Sequence, residues 1–281
     1  MVKMGAVWDR TVEVINGRTA MLASIAALTL WLPAVLRQVI GLGLASSGVP
    51  GTAPSSGALG LLFVLSLVIA ALTIFGQLAL IAVASHPSTT RGEAFRIAAA
   101  RLPVAIGLAL LLGLVVFVLL IPIMAPIAAV MPNPAAMTPA SMAAAMTGIS
   151  AGTRAFIGLY GLAFGAVMIW IAARLLLLNP VIVNEREGVR SFRRTFMLTR
   201  GLTWKIIGLA ILFGIVSLVV MLAVQSVAGI LFRLILGADN LGLAALLTLA
   251  VVTVATSAIT VVWASFVAQL YVATREAPVA G

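Results

Sequence analysis

Residues 206–236 read IIGLAILFGIVSLVVMLAVQSVAGILFRLIL, a run whose only charged residue is Arg233. About 20 helical residues, each rising 1.5 Å, cross a hydrocarbon core of roughly 30 Å, and this run is longer than that. Its apolar residues do not alternate with polar ones, so it cannot be a barrel strand. In lipid the remaining way to satisfy every backbone N–H and C=O is a helix.

Working outward from this run, five more stretches have the same character: Thr19 to Ile40, Ala58 to Ala84, Leu102 to Met131, Ala155 to Val183 and Leu241 to Val272. The expected fold is an all-α polytopic membrane protein with about six transmembrane helices, residues 1–281 forming a single membrane domain. Composition agrees: 63% of residues are apolar and 9% charged, against roughly 45–50% and 25% in soluble chains. The mean hydropathy is +1.24. Residues 1–20 combine Lys3, Arg10 and Arg18 with Asp9 and Glu13, and no small-residue cleavage site follows, so the first span reads as retained.

Most of the basic residues behind the net charge of +10 lie in short segments between apolar runs, which points to anionic lipid rather than nucleic acid as the partner. Under the positive-inside rule these segments are cytoplasmic. They hold Lys3, Arg10 and Arg18; then Arg91, Arg96 and Arg101; then Arg186, Arg190, Arg193, Arg194, Arg200 and Lys205; and finally Arg275. The opposite loops, Gly41 to Gly57, Pro132 to Thr153 and Gly237 to Asn240, contain one charged residue, Asp239. Both termini are therefore expected in the cytoplasm.

Each odd-numbered span follows a mixed basic and apolar segment: Val7 to Arg18, Gly92 to Arg101 and Val189 to Lys205. The second and third share Phe95-Arg96 and Phe192-Arg193. This layout suggests three units, each an interfacial helix followed by a transmembrane hairpin. In the third segment Val189, Phe192, Phe196 and Thr199 or Leu198 would form the apolar face.

Few residues can carry chemistry. The chain has no cysteine and one histidine, and none of the six runs contains Asp or Glu. No phosphate loop, His-Glu-x-x-His pair or convincing nucleophile and base is present. A non-enzymatic protein without metal or cofactor is expected. His86, beside Pro87, reads as a loop residue. Arg190, Arg193, Arg194, Arg200, Lys205, Arg96 and Arg101 are the candidate contacts for anionic lipid or a protein partner. Arg174, Gln77, Gln225 and Gln269 are the candidates for an intramembrane polar site, with Arg174 placed at the inner interface if the fourth span breaks near Asn179-Pro180. Arg37, Arg154 and Arg233 fall near the outer ends of their spans, where they snorkel or bind headgroups, and Arg233 is near enough in sequence to pair with Asp239. Thr253, Ser257 and Thr260 recur at helical spacing and read as interhelical glue. Met124, Met131, Met137, Met142 and Met146 cluster around the outer loop Pro132 to Thr153, where Thr138-Pro139 would open a short helix resting Met142 and Met146 on lipid.

The segment from Asn179-Pro180-Val181 through Glu185, Arg193-Arg194 and Leu198-Thr199-Arg200-Gly201 to Trp204-Lys205 resembles a loop of the YciC-like bacterial inner-membrane proteins. It is also similar to the membrane domain attached to some glycerophosphodiester phosphodiesterases. In those families a Pro-Val-x-x-x-Glu turn leads into a basic helix ending in Leu-Thr-x-Gly and an aromatic residue, and Gly92-Glu93-Ala94-Phe95-Arg96 is similar to their shorter basic segment. The resemblance implies a six-span architecture in the bacterial cytoplasmic membrane and, the hydrolase domain being absent, a role in envelope or lipid homeostasis. The alternative is a transporter or flippase for a lipid-like or weakly polar solute, which predicts a cavity containing Arg174 and a glutamine.

Overall fold

The computed structural model describes residues 3–46, 56–86, 88–130, 147–185, 190–199, 201–237 and 240–276. Among the described residues six helices are long and apolar enough to cross a membrane, and the protein is an all-α polytopic membrane protein. Large apolar side chains stand in the open along these helices, with Leu162 at 75% and Leu234 at 78% exposure. So much uncovered apolar surface is compatible only with hydrocarbon as the surrounding medium.

The chain divides into two compact units. The smaller, residues 107–173, contains most of α4 (Arg91–Val130) and α5 (Ala151–Leu175). Within it the Tyr160 hydroxyl donates to Leu119 O at 2.8 Å, tying the two helices. Ser150 opens α5 by accepting from Thr153 N (3.2 Å), a side-chain N-cap.

The larger unit comprises residues 1–106 and 174–281. It begins with α1 (Met4–Ala26), a π-helical turn (Ala27–Trp31) and α2 (Leu32–Ser46), followed by α3 (Ser56–Ser85). After α5 come α6 (Leu178–Glu185), α7 (Ser191–Leu198), α8 (Thr203–Leu236) and α9 (Leu241–Glu276). Helix α9 packs against α1, α3 and α8. The core is concentrated where Leu78–Ala84 of α3 and Ala264–Tyr271 of α9 are buried along their whole lengths.

Local sequence explains the irregularities. Pro33 has no N–H for Thr29 O and its ring crowds that turn; the π-helical turn immediately before it absorbs the mismatch. Thr29 lies in that turn against Gly76 of α3, where a Cβ would overlap Thr29 Oγ1, so only glycine permits the approach. Arg18 breaks α1 with φ −136° and ψ 21°, separating Met4–Gly17 from the span proper. The second basic segment is instead continuous with α4, opened by a capping box in which Thr90 N donates to Glu93 Oε2 (2.9 Å) and Glu93 N to Thr90 Oγ1 (3.3 Å). The third is a separate helix, α7, which ends before Gly201 at φ 82°. The three basic segments thus join their spans by a kink, a continuous helix and a glycine turn respectively.

Candidate functional site at the basic end

The cationic segments of the larger unit meet around the C-terminal end of α3. There the last carbonyls of the helix have no intrahelical donor. Arg18, placed by the α1 kink, supplies one: its Nη1 donates to Val83 O (3.1 Å), His86 O (3.2 Å) and Thr89 O (3.4 Å). A cation at a helix C-terminus also faces the favourable end of the dipole. Beside it the buried Gln269 amide donates to Ala84 O at 2.6 Å.

Short helix α6 runs alongside α3. Asn179 Nδ2 donates to Gln77 Oε1 at 3.4 Å, and one turn later Asn184 Nδ2 donates to Pro180 O at 2.8 Å. That leaves Asn184 Oδ1 to accept from His86 Nε2 at 2.9 Å. Glu185 closes α6 and collects two donors, Arg194 Nε of α7 at 2.8 Å and the Tyr271 hydroxyl of α9 at 2.9 Å. One carboxylate therefore fastens three helices.

Helix α7 does not present the face its phenylalanines suggest. Ser191, Thr195 and Thr199 are fully buried and Thr203 nearly so, whereas Phe192 and Phe196 are half-buried. Small side chains let α7 lie close, and each threonine hydroxyl donates to the carbonyl four residues back (2.8, 2.9 and 3.2 Å), so burial leaves none of those three hydroxyls unsatisfied. The signal was present as a Ser/Thr at every fourth position from 191 to 203. Val189 lies outside the described residues.

Arg174 is in the last turn of α5, which ends at Leu175, just before Asn179-Pro180. Its Nη1 donates to Phe196 O at 3.3 Å and its guanidinium carbon sits 5.9 Å from the Phe196 ring centre. Thr199 Oγ1 returns a bond to Arg174 O at 3.4 Å. Arg174 thus anchors α7. The proposed polar set is not gathered into one site: Gln77 pairs with Asn179, Gln269 caps α3, and Gln225 is exposed on α8.

The remaining cations separate by employment. Arg10 pairs with Glu276 at 3.1 Å with both side chains more than half exposed, a contact of little energetic weight. Arg96, Arg190, Arg193 and Lys205 are exposed and make no hydrogen bond or ion pair to a described residue. Arg101 is half-buried. Arg37, Arg154 and Arg233 are exposed on α2, α5 and α8. Arg200, Asp239, Met131, Met137, Met142 and Met146 lie outside the described residues. Among the described residues, no three His, Asp or Glu side chains cluster as metal ligands would.

Two cavities open at this end. The larger, about 870 Å³, is bordered by Arg10, Glu13, Arg18, Gln269, Tyr271 and Arg275 among others. The smaller, about 310 Å³, lies beside Arg96 and Arg101; His86 and Asn184 border both. The buried Ser85 hydroxyl, on the wall of the larger cavity, has no hydrogen-bond partner among the described residues.

No protein-family model matches the chain, and no curated protein or solved structure matches it significantly.

Proposed function

We propose that this is a non-enzymatic integral membrane protein of the bacterial envelope, its basic end cytoplasmic, that holds anionic lipid headgroups and serves lipid or envelope homeostasis. The observation that carries the reading is the division among its cations. Arg18, Arg174 and Arg194 are consumed by carbonyls and Glu185 and build the fold. Arg96, Arg190 and Arg193 are exposed at the same end and make no hydrogen bond or ion pair to a described residue. Cations near an anionic leaflet contribute about 1 kcal/mol each, enough together to retain lipid. The resemblance of residues 179–205 to the YciC-like proteins supports the bacterial cytoplasmic membrane as the location. A transporter would be favoured by a cavity uniting Arg174 with a glutamine, but the Arg174 guanidinium meets Phe196 instead.

The test is native mass spectrometry of the protein purified in mild detergent, wild type against Arg96→Gln/Arg190→Gln/Arg193→Gln. Fewer co-purifying anionic lipids per protein in the variant than in the wild type are expected. An unchanged lipid profile would reduce the basic segments to topology determinants and reopen the solute-transport and cytoplasmic-partner readings.

A further inference from the structure

Apart from the polar cavities, an apolar groove of about 670 Å³ lies between the first turns of α1, residues 209–220 of α8 and residues 258–266 of α9. Its wall carries a chain of aromatic contacts: Trp8 to Phe266 (6.4 Å between ring centres), Phe266 to Trp263 (6.2 Å) and Trp263 to Phe213 (4.7 Å). Along α8 the groove runs from Leu209 to Val220, about 16 Å at 1.5 Å per residue, close to half of a hydrocarbon core of about 30 Å. It is as long as one leaflet is deep. Gly5 borders it, and a Cβ there would meet nothing within 4 Å, so the sequence leaves this space empty. A second apolar groove of about 460 Å³ shares Ala258 and Val262 with the first.

The mouth of the groove is marked by charge. Lys3 immediately precedes Met4, and Lys205 lies one helical turn before Leu209; Met4 and Leu209 both line the groove, and both lysines are exposed. Trp204, 82% exposed beside Lys205, belongs at the water–hydrocarbon interface, where indoles concentrate. Asp9, the nearest acidic residue along α1, does not line the groove. An occupant must therefore be a leaflet-long hydrocarbon chain carrying negative charge at the end nearest the lysines.

We propose that this groove is a binding site for one anionic phospholipid of the cytoplasmic leaflet, an acyl chain lying against Trp8, Phe213, Trp263 and Phe266 and the phosphate lying between Lys3 and Lys205. The second groove gives the other chain its place beyond Ala258. The site deepens the lipid-holding reading and rests on it for orientation, yet it uses none of Arg96, Arg190 or Arg193.

The test reconstitutes the full chain in nanodiscs of phosphatidylcholine containing traces of phosphatidylglycerol, with bromine on the acyl chains of one lipid or the other. Bromine quenches a tryptophan it touches, so brominated phosphatidylglycerol is expected to quench the wild type at about thirtyfold lower load than brominated phosphatidylcholine, as two interfacial lysines imply. The preference is expected to vanish in Lys3→Gln/Lys205→Gln, and its tryptophan signal in Trp8→Phe/Trp31→Phe/Trp263→Phe, which removes the tryptophans that line the two grooves. Gly5→Leu fills open space without a clash and is expected to weaken the contact while circular dichroism stays unchanged; Ala258→Phe obstructs both grooves. Equal quenching by both lipids in the wild type, a preference surviving in Trp8→Phe/Trp31→Phe/Trp263→Phe, or one undiminished in a folded Gly5→Leu protein, would overturn the site. Arg96→Gln/Arg190→Gln/Arg193→Gln is expected to keep the preference, so the two lipid readings fail separately.

Discussion

Gly76 and Gly60 lie on the same helix, α3, and replacing each by alanine should move stability in opposite directions. A Cβ on Gly76 would come within 2.8 Å of Thr29 Cβ and 3.3 Å of Leu30 Cδ2. Carbon atoms rest about 3.5–4.0 Å apart, so the π-helical turn and α3 must part by roughly 1 Å. Overpacking of this kind costs about 1–3 kcal/mol, against about 1 kcal/mol that alanine gains over glycine within a helix. A net loss of about 1 kcal/mol is expected for Gly76→Ala. Gly60 has nothing within 4 Å of its Cβ position, and Gly60→Ala should gain up to about 1 kcal/mol. Adding Thr29→Ala to Gly76→Ala removes the hydroxyl but not the Thr29 Cβ, so only part of the loss should return. The assay is unfolding in mixed micelles titrated with dodecyl sulfate and followed by circular dichroism. If both glycine variants shift the midpoint in the same direction, the close approach of the π-helical turn to α3 is wrong.

Other perturbations test the basic end. Arg18→Gln should lower stability by about 2 kcal/mol, since a charged donor to helix-end carbonyls is lost, and hydrogen exchange at the C-terminal end of α3 should rise. Glu185→Gln weakens the bond from Arg194 and should increase exchange across α7, residues 191–198, while Tyr271→Phe, which removes a single hydroxyl, should have a smaller effect in the same assay. Thr195→Val keeps the shape of a fully buried side chain whose hydroxyl serves only Ser191 O; it should cost about 1 kcal/mol or less. Thr195→Phe, too large for the contact, should release α7 and raise its exchange.

The spans were legible because bilayer thickness imposes a length that few other constraints imitate. The break in the fourth span was legible too, through Asn179-Pro180, although the helix ends slightly earlier, at Leu175. What sequence spacing missed was the use of small polar residues. Phe192 and Phe196 suggested an apolar face for α7, whereas Ser191, Thr195 and Thr199 form the buried one, because close approach rewards small volume and the back-bonded hydroxyls of Thr195 and Thr199 bury at little cost. The pairings of His86 with Asn184, Glu185 with Tyr271 and Gln38 with Thr253 (3.2 Å) join residues far apart in the chain. No local pattern announces such pairs. Arg18 read as one more topology determinant, and only the kink in α1 shows that it caps another helix.

The account depends most on all the arginine-rich segments facing the cytoplasm together. The chain contains no cysteine, so single cysteines at Ser150, His86, Arg190 and Glu276 can be labelled with a membrane-impermeant maleimide in intact and permeabilised bacterial spheroplasts. Labelling of Ser150→Cys in intact spheroplasts, with His86→Cys, Arg190→Cys and Glu276→Cys labelled only after permeabilisation, is the predicted result. Labelling of Arg190→Cys or Glu276→Cys from outside would contradict it.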